Sequence, residues 1–96
     1  MDVLVIGYGH IGRPLFKIIS EKYNAVWLDI ENKLISLMPF VMHVCIPYSA
    51  EFIETVISYH KRFRPKIIII ESTVPVGTIR LLWREITDAI IVHSPV

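Results

Sequence analysis

Apolar residues are laid along this chain in short solid blocks, with stretches of mixed polarity between them. Val3–Ile6, Ala25–Leu28, Val41–Ile46, Ile67–Ile70 and Ala89–Val92 are apolar throughout except for His43. Blocks without polar alternation are the mark of strands covered on both faces, as in a parallel sheet. Between the blocks the spacing changes to that of helices. Ile11, Leu15, Ile18 and Ile19 form one inward stripe. Phe52, Ile53, Val56, Ile57, His60 and Phe63 form a second, and Ile79, Leu82, Trp83 and Ile86 a third. Lys17–Asn24 closes the first helix, with Tyr23-Asn24 as its stop. Ser49 suits the N-cap of the second, with Tyr48 stapled onto Ile53. Lys61, Arg62, Arg64 and Lys66 gather at that helix's C-terminal end, where cations complement its dipole. Residues 30–40, with Leu34, Ile35, Leu37 and Met38, form a short crossover that Pro39 ends.

Strands alternating with helices predict a three-layer α/β domain, and residues 1–96 form one such domain. Right-handed crossovers and a switch point after the first strand predict a parallel five-stranded sheet of order 2-1-3-4-5. Ligands of such sheets sit at the C-terminal ends of the strands. The chain places Gly7–Gly12, Asp29, Pro47–Ser49 and Ser72–Thr73 there.

The chemistry starts at the first strand end. Gly7, Gly9 and Gly12 stand in G-x-G-x-x-G spacing between a strand and a helix, and the second strand ends at Asp29. This is the dinucleotide-binding fingerprint of a Rossmann-like fold in its required context. Gly7 permits the sharp turn, Gly9 permits close approach of a pyrophosphate, and Gly12 permits close packing of helix on strand. The helix N-terminus offers free N–H groups to phosphates. Asp29 is placed to accept hydrogen bonds from ribose hydroxyls. A 2′-phosphate would meet Asp29, with Glu31 close behind it in sequence, as a like charge, so NAD is expected in preference to NADP.

Composition narrows the classes. A hydrophobic content of 53% provides a real core for 96 residues. No apolar run approaches the ~20 residues of a membrane span, and a net charge of +1 gives no argument for nucleic acid or an anionic membrane. No basic-then-apolar leader precedes the first strand. The single Cys45 suits a reducing cytoplasm, and its mid-strand place reads as a small hydrophobe rather than a nucleophile. His43 reads as a hydrogen-bonded strand residue, because no second His or Cys has ligand spacing to it.

Glu71-Ser72-Thr73-Val74-Pro75-Val76-Gly77-Thr78 follows the four-isoleucine block. Pro75 and Gly77 shape a turn, and Ser72 and Thr73 carry hydroxyls at the strand end. With the glycine motif and Asp29 upstream, this string resembles the N-terminal domain of the UDP-glucose/GDP-mannose dehydrogenase family over nearly the whole chain. Those enzymes oxidise a nucleotide-sugar alcohol to the acid in two NAD-dependent steps. The resemblance implies that Gly7, Tyr8, Gly9, His10, Ile11 and Gly12 line the pyrophosphate. It implies ribose contact at Asp29, cofactor contacts at Pro47, Ser72 and Thr73, and for Thr73 a catalytic part in positioning water. Read from the residues alone, Thr73 is a turn residue.

The departures are specific. The family has a further helix and strand where only residues 30–40 stand here, Tyr48-Ser49 replaces its Thr-Pro, and its Pro-Glu meets Pro95-Val96. Its catalytic cysteine, lysine and aspartate have no counterparts. The expectation is a cofactor domain not competent alone, shortened or excised from a longer enzyme, with catalysis in a missing domain or subunit. Alternatives are the cofactor domain of a 3-hydroxyacid or prephenate-type dehydrogenase, or a nucleotide-sensing or interaction module that has lost the reaction. The shortened crossover also leaves open a collapsed adenine pocket. Apolar surface near Leu34–Phe40 leads to an expected homodimer.

Overall fold

The structure, a computed structural model, describes residues 2–7, 9, 12–28 and 38–95. Its elements are β1 (Asp2–Ile6), α1 (Gly12–Ile19), β2 (Asn24–Leu28), β3 (Val41–Val44), α2 (Phe52–Phe63), β4 (Ile67–Ile70), α3 (Thr78–Glu85) and β5 (Ile90–His93). The strands form one five-stranded sheet of order β2-β1-β3-β4-β5, parallel throughout. This is the Rossmann-like α/β order that the sequence predicts. Of the crossover expected over residues 30–40, residues 30–37 lie outside the described residues.

The period of two along each strand divides the side chains between two faces. Leu4, Ile6, Met42, Val44, Ile68, Ile70 and Ile91 meet Phe52, Val56 and Phe63 of α2, Leu82 of α3 and Ile86 in the main core. The step from β1 to β2 runs across the sheet opposite to the steps from β3 to β5. A right-handed α1 therefore lies on the other face, where it packs against β1 and β2 over Val3 and Val5. Farther along that face, Val41, His43, Ile67 and Ile69 are half-buried, and Ile90 and Val92 are exposed.

Two of the three inward stripes are corrected in detail. In α1 the half-buried side is Leu15, Phe16 and Ile19, whereas Ile18 is 67% exposed and Ile11 lies outside the described residues. In α3, Trp83 is 56% exposed and its Nε1 donates to the Ile91 carbonyl at 3.2 Å, so the indole sits beside β5 rather than under α3. The stripe of α2 stands, but its N-cap is Glu51, because the Ser49 hydroxyl accepts the Glu51 N–H at 3.3 Å and closes a turn one step earlier. Tyr48 rests on Phe52, 5.6 Å between ring centres. Arg64 ends α2 in the left-handed region (φ 48°), with its N–H on the His60 carbonyl at 2.8 Å.

At the C-terminal end of α2, Asp88 gathers His60 and Arg64. Its Oδ2 accepts from Arg64 Nη1 at 3.2 Å, and its Oδ1 is 2.8 Å from buried His60 Nε2, off the line of a hydrogen bond. Of the surface expected at Leu34–Phe40, Met38 and Phe40 are exposed and 34–37 lie outside the described residues. No helix among the described residues is long and apolar enough to cross a membrane.

Candidate functional site

The glycine turn joins β1 to α1 at the C-terminal edge of the sheet. Gly7 has φ +90° and its N–H is on the Leu28 carbonyl at 2.8 Å, which ties the turn to the end of β2. A Cβ there would lie 2.7 Å from the Cys45 carbonyl oxygen, and one at Gly12 would lie 1.9 Å from the Gly7 carbonyl oxygen. Both glycines are therefore demanded by the fold itself. Gly9 differs. It is exposed, its φ lies outside the left-handed region, and among the described residues a Cβ on it would meet nothing within 4 Å. No contact among the described residues requires glycine at this position.

The neighbouring strand ends close in beside this turn. Cys45 N–H reaches the Ile6 carbonyl at 2.8 Å, Glu71 N–H the Val44 carbonyl at 2.9 Å, and Ser94 N–H the Ile70 carbonyl at 2.8 Å. The structure thus brings Gly7, Gly9 and Gly12 to the same edge as Pro47, Ser72 and Thr73. Thr73 and Pro47 are exposed. Ser72 is buried, and its hydroxyl donates to the Val44 carbonyl at 3.3 Å, so this group braces β3 against the β4 turn. His93 Nε2 donates to the Ser72 carbonyl at 3.2 Å from the other side. Tyr8, His10, Ile11 and Asp29 lie outside the described residues.

A polar cluster under the turn is not visible in residue spacing. Glu71 is buried, and its Oε2 is 2.7 Å from His43 Nδ1. An ionised carboxylate only accepts, so Nδ1 is the donor. The Cys45 thiol donates to Oε1 at 3.8 Å. Burial, with the Glu71 charge and this hydrogen bond added, pushes the thiol pKa from 9.0 up to about 12. Cys45 is thus a half-buried donor held neutral rather than a plain hydrophobe, which removes thiolate chemistry at neutral pH. His43 is a hydrogen-bonded strand residue, as its sequence context implies. One signal for the cluster was present in the sequence: a lone ionisable residue beside each of two buried strands requires a partner. Among the described residues no group of three His, Cys, Asp or Glu is placed to hold a metal ion.

The sequence matches no protein-family model and no curated protein.

Proposed function

We propose that this chain is an NAD-binding domain akin to the cofactor domains of UDP-glucose/GDP-mannose dehydrogenases, whose reaction groups are supplied by another domain or subunit. The observation that carries the reading is Gly9. It is the middle glycine of the motif and the one that no contact among the described residues requires, and it stands exposed before α1. Absence of a side chain there serves a molecule approaching from solvent, and the motif's chemistry makes that molecule a pyrophosphate.

Within this reading, Gly7 and Gly12 set the turn against β2 and α1, and the first N–H groups of α1 face the phosphates. Asp29 selects a free ribose hydroxyl over a 2′-phosphate. Thr73 offers an exposed hydroxyl beside the reacting end, and Ser72 keeps the strand end in place through Val44. Bound NAD supplies the hydride acceptor. Cys45 does not serve as the nucleophile of a two-step oxidation, because its thiol is held neutral under Glu71.

Calorimetric titration of NAD and NADP into the purified chain, beside Gly9→Val, tests the reading. NAD is expected to bind, NADP to bind more weakly, and Gly9→Val to lose at least about tenfold in NAD affinity, or about 1.4 kcal/mol, at unchanged thermal stability. Absence of heat, together with no thermal shift at millimolar NAD, overturns it. A second reading, an interaction module that has lost the reaction, is favoured by the exposed Ile90 and Val92.

A further inference from the structure

Purely parallel sheets occur almost only with both faces covered. Here the face that carries α1 is bare over β3–β5, among the described residues. Val41, Ile67 and Ile69 are half-buried there, and Ile90 and Val92 are 64% and 44% exposed. α1 runs antiparallel to the strands in a right-handed crossover. At about 100° per residue, Ile18 therefore falls on the flank of α1 that looks toward β3. Its 67% exposure extends the same apolar surface. We propose that this face seats a second copy of the chain, in a two-fold contact centred on Ile90 and Val92.

Three observations choose the occupant. The floor formed by three strands is about 14 Å wide and about 13 Å long. A single helix packed beside α1 at about 10 Å would lie over β3 and β4 and leave Ile90 and Val92 at its margin. The most exposed residues thus call for something wider than one helix.

The second observation is charge. A two-fold contact sets a patch against its own copy, so any unpaired charge would meet its like. The ionisable groups that β3 and β4 carry on this face, His43, Cys45 and Glu71, are hydrogen-bonded to one another, and the His43 and Glu71 side chains are only 13% and 7% exposed, so neither sets an exposed charge against a copy. The surface is therefore compatible with itself.

The third is the strand edge. The Trp83 indole already occupies the Ile91 carbonyl on the free side of β5, which blunts pairing of two copies edge to edge. That directs association to the face. The floor, about 180 Å² in plan with Ile18 at its rim, is small beside the ~800 Å² that each partner brings to a standard interface. The pair is accordingly of modest affinity and dissociates on dilution.

Light scattering across about 1 to 200 µM of the full chain reads this directly. The expected result is a mass that rises toward twice 11.1 kDa with concentration. Ile90→Lys with Val92→Lys is expected to hold the monomer mass throughout at unchanged circular dichroism. Leu81→Lys, on the opposite side of the sheet, leaves the pair intact. A melting temperature of the unaltered chain that climbs with concentration gives the same answer without a substitution. A wild-type monomer at about 200 µM with a concentration-independent melting temperature overturns the proposal and leaves the face to a different polypeptide. A folded double variant that still pairs, or an open-ended assembly, overturns it as well.

Discussion

Replacing Gly12 by alanine sets a methyl carbon 1.9 Å from the Gly7 carbonyl oxygen and 2.9 Å from its carbonyl carbon. Carbon and oxygen without a bond between them rest at about 3.3 Å or more. The turn and α1 must therefore separate by more than an ångström, and both sides of the clash are backbone, so no rotamer relieves it. Gly7 has little freedom to yield, because its own Cβ space is filled by the Cys45 carbonyl and its N–H is on Leu28. Loss of that hydrogen bond costs about 1 kcal/mol. Lifting α1 from Val3 and Val5 uncovers one or two apolar side chains at about 1.5–3 kcal/mol each. The total of about 2.5–7 kcal/mol is a large part of the 5–15 kcal/mol that holds a domain of this size. At about 4–8 °C per kcal/mol, the melting temperature is expected to fall by about 10 °C or more. Gly9→Ala, with open space and an ordinary φ, is expected to stay within about 0.5 kcal/mol of the unaltered chain. Urea unfolding followed by circular dichroism measures both. Equal losses for the two variants would refute the reasoning, since Gly12 would then not be seated against the turn.

Further outcomes follow from three side chains. Glu71→Ala leaves His43 Nδ1 and the Cys45 thiol without their acceptor and is expected to cost about 2–4 kcal/mol in urea unfolding. Cys45 is expected to resist a thiol reagent at about pH 8 until the chain unfolds. Its folded pKa is raised from 9.0 to about 12, so its contribution to stability is whole below pH 9.0 and drains away as pH climbs toward 12, which an alkaline unfolding series reads. At Asp88 partial burial raises the carboxyl, but the charges of His60 and Arg64 and its own backbone N–H outweigh this and hold it below the usual value. That contribution is present above the ordinary carboxyl pKa and is lost as pH falls through the depressed one. Asp88→Asn is expected to lower stability at neutral pH and to converge with the unaltered chain in strong acid.

The sheet was legible because its blocks are solid and its connections few. Four isoleucines in a row at Ile67–Ile70 leave little choice but a strand covered on both faces, and right-handed crossovers then order the rest. The glycine turn was legible in kind, and the atomic contacts add that two of its glycines answer to packing and the third to no contact among the described residues. What periodicity missed was set by partners distant in sequence. Trp83 fits the stripe of α3 by spacing, but the unpaired Ile91 carbonyl on the edge strand draws its indole aside. Ile18 also fits by spacing, and it stays exposed because nothing described stands on that flank of α1. The His43–Glu71 contact joins residues 28 positions apart, across two strands, beyond the reach of local spacing. Ser49 has the chemistry of a cap, and a turn formed one step earlier took its hydroxyl.

β1 is an interior strand, second from the β2 edge of the sheet. β1 pairs with β2 on one side and with β3 on the other, so its backbone is fully paired only once Val41–Val44 has joined. No two strands form a hairpin, and every pairing waits for a loop to close, which makes folding slow relative to a helical chain of equal length. During synthesis Val3–Ile6 emerges before both of its partners, an apolar strand with two open edges. The order in which the ribosome delivers these strands thus sets an aggregation-prone interval that lasts until residue 44 is in place.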